Sequence, residues 1–212
     1  MLLTDRDSEI LAALCTQIRM ITPRQTAHGW WPRREKDAVN AQARLRVLHS
    51  AQYLVKATVL ARPLPILRGP VVRWSPGEFL PDFGAVAWKL QERWRVAARQ
   101  TTVYLAAPRS RRLFGGNQRG VIRRQFQAGH DLGVTQMYVC IRRYNPQLLP
   151  CWIGEDRLAP ARRQQKLPDA VLSASPDTLP YLVLEFGGAY DKARVQDFHT
   201  DCEARGLSYE IW

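Results

Sequence analysis

The sequence lacks the features that mark several common protein classes. It has no apolar run of about 18 residues, so we expect no membrane span. Its first residues lack the basic and apolar segments of a signal peptide. The four cysteines form no C-x-x-C pair and the four histidines are dispersed, which argues against a zinc site and a disulfide framework. These absences predict a cytoplasmic protein with reduced cysteines.

Positive charge, by contrast, is abundant and unevenly distributed. The net charge is +12; residues 1–125 carry 22 Lys and Arg against 8 Asp and Glu, and residues 126–212 carry 9 against 11. The first part is therefore at +14 and the second at −2. An asymmetry of this size predicts a polyanionic partner, most often nucleic acid, with an ordinary basic surface as the alternative.

The first 80 residues have the element order of a winged helix-turn-helix. Thr4 begins one helix, and Thr22-Pro23 is a strong start for a short second helix. A third helix is predicted from about Glu35 to Ser50. The strand-like run at 53–60 and its predicted partner at 71–74 would form the wing.

The third predicted helix has a polar face suited to the major groove of DNA. Lys36, Asn40 and Arg44 recur every four residues opposite an apolar stripe, and Asn and Arg can each bridge two atoms of a base edge. An ordinary solvated face is the alternative for any single amphipathic helix. The candidate DNA contacts are Arg24, Arg33, Arg34, Lys36, Asn40, Arg44, Arg62 and Arg68, the last two in the predicted wing.

Residues 81–125 are interpreted as a linker helix followed by a basic loop. The helix, at 83–99, carries an aromatic-rich apolar stripe, which predicts one large contact. Two partners for this stripe stay open: the first domain of the same chain, or a second copy in a homodimer that would match a palindromic DNA site. For the arginine- and glycine-rich residues 109–120, contact with phosphates and a solvated linker are equally supported.

Residues 126–212 predict a second domain with the order αβββαβ, so the whole chain is expected to be α+β. The predicted elements are a helix at 130–143, strands at 150–154, 169–173 and 181–186, a helix at 190–205 and a strand at 207–212. Gly206 is the expected stop after the last helix.

Two carboxylates stand on neighbouring predicted strands of this domain. Asp169 begins one strand and Glu185 ends the next, so antiparallel pairing would bring the two acids together. Such pairs hold hard cations such as Mg²⁺ in metal-dependent hydrolysis. The segments Pro168-Asp169 and Leu184-Glu185-Phe186-Gly187 resemble the metal-binding core of the PD-(D/E)XK nuclease family.

This resemblance implies a lysine two residues after the second acid that helps to activate water. Gly187 occupies that position, so Lys192, or Lys166 before the motif, is the candidate for a displaced lysine. Asp169 and Glu185 are the candidate catalytic acids and metal ligands, and Glu155 could be a third acid. Mg²⁺ is expected only if the site is active, and no cofactor otherwise. The alternative is a degenerate nuclease fold in which both acids are remnants, and Gly187 favours it.

The whole chain is similar to the replication-relaxation family, whose members are found on bacterial plasmids and integrating elements. The resemblance rests on Thr4, Asp5, Arg6 and Asp7 near the start and on Pro168, Asp169 and Glu185. It implies DNA binding linked to plasmid replication, relaxation or transfer, in a protein associated with the plasmid or nucleoid.

The leading hypothesis is a homodimeric, sequence-specific double-stranded DNA-binding protein that acts as a regulator or accessory factor of a mobile element. One alternative is a Mg²⁺-dependent DNA nuclease. The other is a protein-interaction scaffold that binds replication or transfer proteins.

Overall fold

The chain passes back and forth between two structural units. The computed structural model describes residues 2–32, 36–65, 67–116, 122, 127–161 and 166–212. One unit combines residues 1–64 with 98–146, and the other combines 65–97 with 147–212. The predicted boundaries at residues 80 and 125 differ from this division, because the second unit takes its first elements from the middle of the chain.

The helices and strands are named in chain order. They are α1 (Asp5–Thr16), α2 (Pro23–Trp30), α3 (Asp37–Ser50), β1 (Leu54–Ala61), β2 (Val72–Trp74), α4 (Phe83–Glu92), β3 (Arg99–Ala106), α5 (Pro108–Phe114), α6 (Ala128–Tyr144), a 3₁₀ helix (Pro146–Cys151), β4 (Trp152–Gly154), α7 (Glu155–Leu158), β5 (Ala170–Leu172), β6 (Leu182–Glu185), α8 (Lys192–Ala204) and β7 (Tyr209–Ile211).

The first two helices begin where local signals predict them. Thr4 and Asp7 form a capping box in which each side chain accepts a hydrogen bond from the backbone N–H of the other. Thr22 and Gln25 form the same arrangement ahead of α2, and Pro23 occupies its first turn. These caps satisfy backbone donors that the helices themselves leave without partners.

Strands β1 and β3 form a long two-stranded antiparallel sheet in the first unit. We call this pair the β1–β3 hairpin, although residues 62–98 separate the two strands. The strands pair from Leu54 opposite Ala106 to Ala61 opposite Arg99, and Ile21, between α1 and α2, bridges Tyr104. The predicted pairing of β1 with residues 71–74 is wrong, because β2 pairs with β7 in the second unit. The true partner lies beyond residues 62–98, and a three-residue strand could not have matched the eight residues of β1.

Helix α6 also belongs to the first unit, where it packs against α2 and β1. The Gln25 side chain donates to the carbonyl of Leu132 (2.8 Å), and the Thr135 hydroxyl donates to the carbonyl of Met20 (2.7 Å). The prediction that this helix opens the C-terminal domain is therefore wrong. Buried bonds of this kind leave no periodic pattern in the sequence.

The second unit is built on a five-stranded sheet in the order β2-β7-β6-β5-β4. β6 and β7 are parallel, and the other neighbours are antiparallel. Strands β4 to β6, α8 and β7 follow the predicted order. The helix that packs against α8 is α4, which the sequence assigns to the linker, and its Leu90 is buried in the core with Ile211.

The described residues thus form a mixed α and β structure, with a sheet in each unit. No helix among them is both long and apolar enough to cross a membrane.

Candidate nucleic-acid interface and paired carboxylates

Helix α3 presents a polar face that only partly matches the predicted one. Ala41, Leu45 and Leu48 are fully buried and fix the rotation of the helix. Lys36, just before α3, and Asn40 are exposed as predicted.

Arg46 is also exposed on α3, and sequence reasoning missed it. Residues one turn apart share a helix face, whereas five residues after Ala41 the chain has turned well toward the opposite side. The positions of the buried residues along α3 could therefore have been used to predict that Arg46 is exposed. Gln42 is a second exposed polar position on the helix.

Arg44, the third predicted base contact, forms an ion pair with another side chain of the protein. Its guanidinium donates through Nε to Asp7 Oδ1 (2.8 Å) and through a second nitrogen to Asp7 Oδ2. Burial raises the pKa of Asp7, but the hydrogen bonds from Arg44 and Thr4 outweigh it and hold that pKa below its ordinary value. The prediction for Arg44 is corrected: its bidentate pair ties α3 to α1.

The remaining predicted DNA contacts fall into three groups. Arg24, in the first turn of α2, and Arg62, after β1, are exposed in the first unit. Arg68 is exposed but belongs to the second unit, so the prediction that it lies in the wing is wrong. Arg33 and Arg34 lie outside the described residues.

An arginine that was predicted to end a helix lies instead in the β1–β3 hairpin, at the end where the chain leaves β1 and enters β3. Arg99 begins β3, is exposed, and stands opposite Ala61, the neighbour of Arg62. The two arginines thus adjoin the same end of the β1–β3 hairpin.

The basic stretch at 109–120 is partly structural. Arg109, in α5, donates to the carbonyl of Ala51 (3.0 Å) and stacks over Tyr53 at 4.4 Å from the ring centre. Arg112 is exposed. Residues 117–120 lie outside the described residues.

The charge asymmetry follows the structural units closely. Residues 1–64 and 98–146 carry 19 Lys and Arg against 6 Asp and Glu, a net charge of +13. Residues 65–97 and 147–212 carry 12 against 13, a net charge of −1. The entire net positive charge of the chain therefore resides in the unit that contains α3 and the hairpin.

The structure brings the two predicted acids of the second unit together. The backbone N–H of Asp169 donates to Glu185 Oε2 (3.3 Å), and the N–H of Phe186 donates to Asp169 Oδ2 (2.7 Å). Glu185 is buried, and its Oε1 accepts a hydrogen bond from the Tyr190 hydroxyl. Burial and the Glu185 charge raise the pKa of Tyr190, so this hydroxyl stays a donor at neutral pH.

These bonds leave a poor metal site. Three of the four carboxylate oxygens of Asp169 and Glu185 accept hydrogen bonds from the protein itself. Within the described parts of the chain, no group of three or more His, Cys, Asp or Glu side chains could hold a metal ion. The carboxylate pair is therefore engaged mainly by the protein's own hydrogen-bond donors.

The lysine position of the nuclease motif has no space for a side chain. A Cβ atom on Gly187 would lie 2.7 Å from Ile211 Cγ2 and 2.7 Å from Leu90 Cδ1. Both neighbours are fully buried. Lys192 is exposed at the first position of α8, and Lys166 lines a small pocket beside Glu185.

Comparison with known proteins returned no match: no protein-family model, no curated protein and no solved structure is significantly similar to the chain. The similarity to the replication-relaxation family stays a prediction.

Proposed function

We propose that the protein is a sequence-specific double-stranded DNA-binding protein, a regulator or accessory factor of a plasmid or integrating element. In this proposal the first unit is a winged helix-turn-helix, with α3 as the recognition helix and the β1–β3 hairpin as the wing. The order α1, bridge at Ile21, α2, α3, β1, β3 supports that assignment.

The observation that carries the proposal is the net charge of +13 on this one unit. Neutralisation of DNA phosphates by Lys and Arg supplies most of the non-specific affinity of such proteins. Specificity then requires side chains that reach base edges. Asn40, Gln42 and Arg46 of α3 are exposed and chemically suited to that role.

For the second unit we propose a supporting or assembly role without hydrolysis. It is nearly neutral, at −1, so it adds little attraction for a polyanion. The packing of Leu90 and Ile211 around Gly187 leaves no room for the lysine that the PD-(D/E)XK resemblance implies. A replication or transfer protein, or a second copy of the chain, is the partner that this role implies.

The test of DNA recognition is substitution on α3, after the preferred duplex has been selected from a random-sequence pool. Asn40→Ala and Arg46→Ala should each weaken binding to the selected duplex by about 1–3 kcal/mol, because a bidentate base contact is lost. Fluorescence anisotropy measures the affinity. Arg157→Ala, an exposed arginine on α7 of the second unit, is the matched control and should leave it unchanged.

Unchanged affinity and unchanged sequence preference in both α3 variants would contradict α3 as the recognition helix. A selection that enriches no sequence would contradict specific binding altogether.

A further inference from the structure

An open cleft of about 420 Å³ lies at the C-terminal end of α2 in the first unit. Its charged and aromatic lining consists of Arg6, Glu9, Trp30, Trp31, Arg142 and Arg143. The volume is within the range of roughly 300–1,000 Å³ that ligand sites occupy. Neither the α3 face nor the carboxylate pair uses these residues.

Two of the arginines are oriented by buried indole rings. The guanidinium of Arg6 lies 4.3 Å from the ring centre of Trp31, and that of Arg142 lies 4.5 Å from the ring centre of Trp30. Both tryptophans are buried. A planar guanidinium stacked on a fixed ring is held at the cleft through its face, so its edge donors can form hydrogen bonds at the same time.

The cleft has more hydrogen-bond donors and positive charge than its own residues use. Arg142 pairs with Glu9, hydrogen-bonds Tyr138 and donates to the carbonyl of Gly29 (3.2 Å), and Arg143 donates to the carbonyl of Trp31 (2.9 Å). Arg6 is exposed and stacks on Trp31. One carboxylate against three guanidiniums leaves an excess charge of +2.

The cleft also adjoins the chain segment that leads into α3. Trp31 and Pro32 line it, and α3 begins at Asp37. On the α1 side, Arg6 is the sequence neighbour of Asp7, whose carboxylate pairs with Arg44 of α3, so this end of the cleft lies close to that helix. Arginine suits phosphate because its planar donors match two oxygens at once.

We propose that this cleft binds a backbone phosphate of DNA, outside the base-reading face of α3. The inference rests on the proposed DNA-binding function and adds a sequence-independent anchor to it. Such an anchor raises the affinity for all duplexes equally and fixes the orientation of the protein on them.

The salt dependence of binding tests the proposal. Arg6→Gln and Arg143→Gln should each lower the magnitude of the slope of log K against log salt concentration, by at most about 0.9, the value for the whole contact with one phosphate. The probe is a duplex of random sequence, measured by anisotropy at several salt concentrations. Arg6→Lys should restore the slope because it keeps the charge, and Arg157→Gln is the matched control.

Calorimetry with inorganic phosphate separates a DNA contact from a site for a small free anion. A loss of slope in both variants, with no measurable heat from phosphate, supports the proposal. An unchanged slope overturns it, and phosphate binding that disappears in Arg6→Gln would then reassign the cleft to a free anion. Wild-type protein that binds no duplex would overturn the proposed function itself, and the phosphate titration would still report on the cleft.

Discussion

A side chain at position 187 would collide with the core of the second unit. The Cβ atom would come within 2.7 Å of Leu90 on α4 and of Ile211 on β7. The aliphatic part of a lysine side chain would have to pass between Leu90 and Ile211, and both of these residues are completely buried. The packing of α4 thus disfavours the lysine that the PD-(D/E)XK resemblance implies at this position.

Gly187→Ala should lower the free energy of unfolding by about 1–3 kcal/mol, the usual cost of adding a group to a filled core. Urea unfolding followed by circular dichroism measures it. The matched control is Gly69→Ala, also in the second unit, because a Cβ atom there meets nothing within 4 Å.

A stability loss equal in both variants would contradict the packing argument. The non-hydrolytic role itself would be contradicted if wild-type protein nicked a supercoiled plasmid with Mg²⁺ or Mn²⁺ and Asp169→Ala did not.

Two arginines on α3, two residues apart, should have different roles, one in stability and the other in DNA binding. Arg44→Ala should lower the free energy of unfolding by about 1–3 kcal/mol at neutral pH, because it removes a partner from the buried Asp7 carboxylate. Arg46→Ala is the control and should leave stability unchanged while weakening DNA binding. Equal unfolding free energies for the two variants would contradict this division.

The ion pair between Asp7 and Arg44 should also make the stability of the protein depend on pH. The pKa of Asp7 is lower in the folded protein than its ordinary value of 3.8, so its stabilising contribution is complete above that value. The contribution is lost as the pH falls through the folded pKa, below 3.8. Arg44→Ala should therefore lose less stability than the wild type when urea unfolding is repeated at falling pH.

At the scale of elements, local signals were sufficient for helix starts and insufficient for strand partners. Thr22 and Pro23 predict the start of α2, because a cap and a fixed φ act within one turn. The partner of β1 begins at Arg99, and the sequence between them contains another strand and helix. Pairing over such a distance depends on tertiary contacts that periodicity does not encode.

The same limit applies to the candidate sites. The exposure of Asn40 and the meeting of Asp169 with Glu185 were predictable from helix and strand periods. The ion pair of Arg44 with Asp7 was not, because it joins two helices across 37 positions. The cleft at Trp30 and Trp31 was missed for the same reason, since α1, α2 and α6 each contribute to it.

At the scale of the whole molecule, the two units are connected by more than one crossing of the chain. The β1–β3 hairpin is interrupted by residues that fold with the second unit. In the proposed function, the two strands of the wing are therefore joined through the second unit. Residues 65–97 of the second unit therefore lie between the two strands of the wing along the chain.

The same topology predicts that residues 126–212, expected from sequence to be a domain, do not fold alone. This fragment lacks β2 and α4, and with them Trp74, Val86 and Leu90, which are buried in the core of the second unit. Burial of each such side chain contributes about 1.5–3 kcal/mol, so their loss removes roughly 5–9 kcal/mol. Whole domains are stable by only about 5–15 kcal/mol.

The isolated fragment 126–212 should accordingly give a poorly dispersed amide NMR spectrum and no cooperative unfolding transition. Addition of a peptide of residues 65–97 should restore both, because it supplies the edge strand beside β7 and the helix against α8. A peptide carrying Leu90→Asp is the matched control and should fail, since Leu90 is completely buried. Cooperative unfolding of the fragment by itself would contradict the division of the chain, because α4 and β2 would then be dispensable to the sheet.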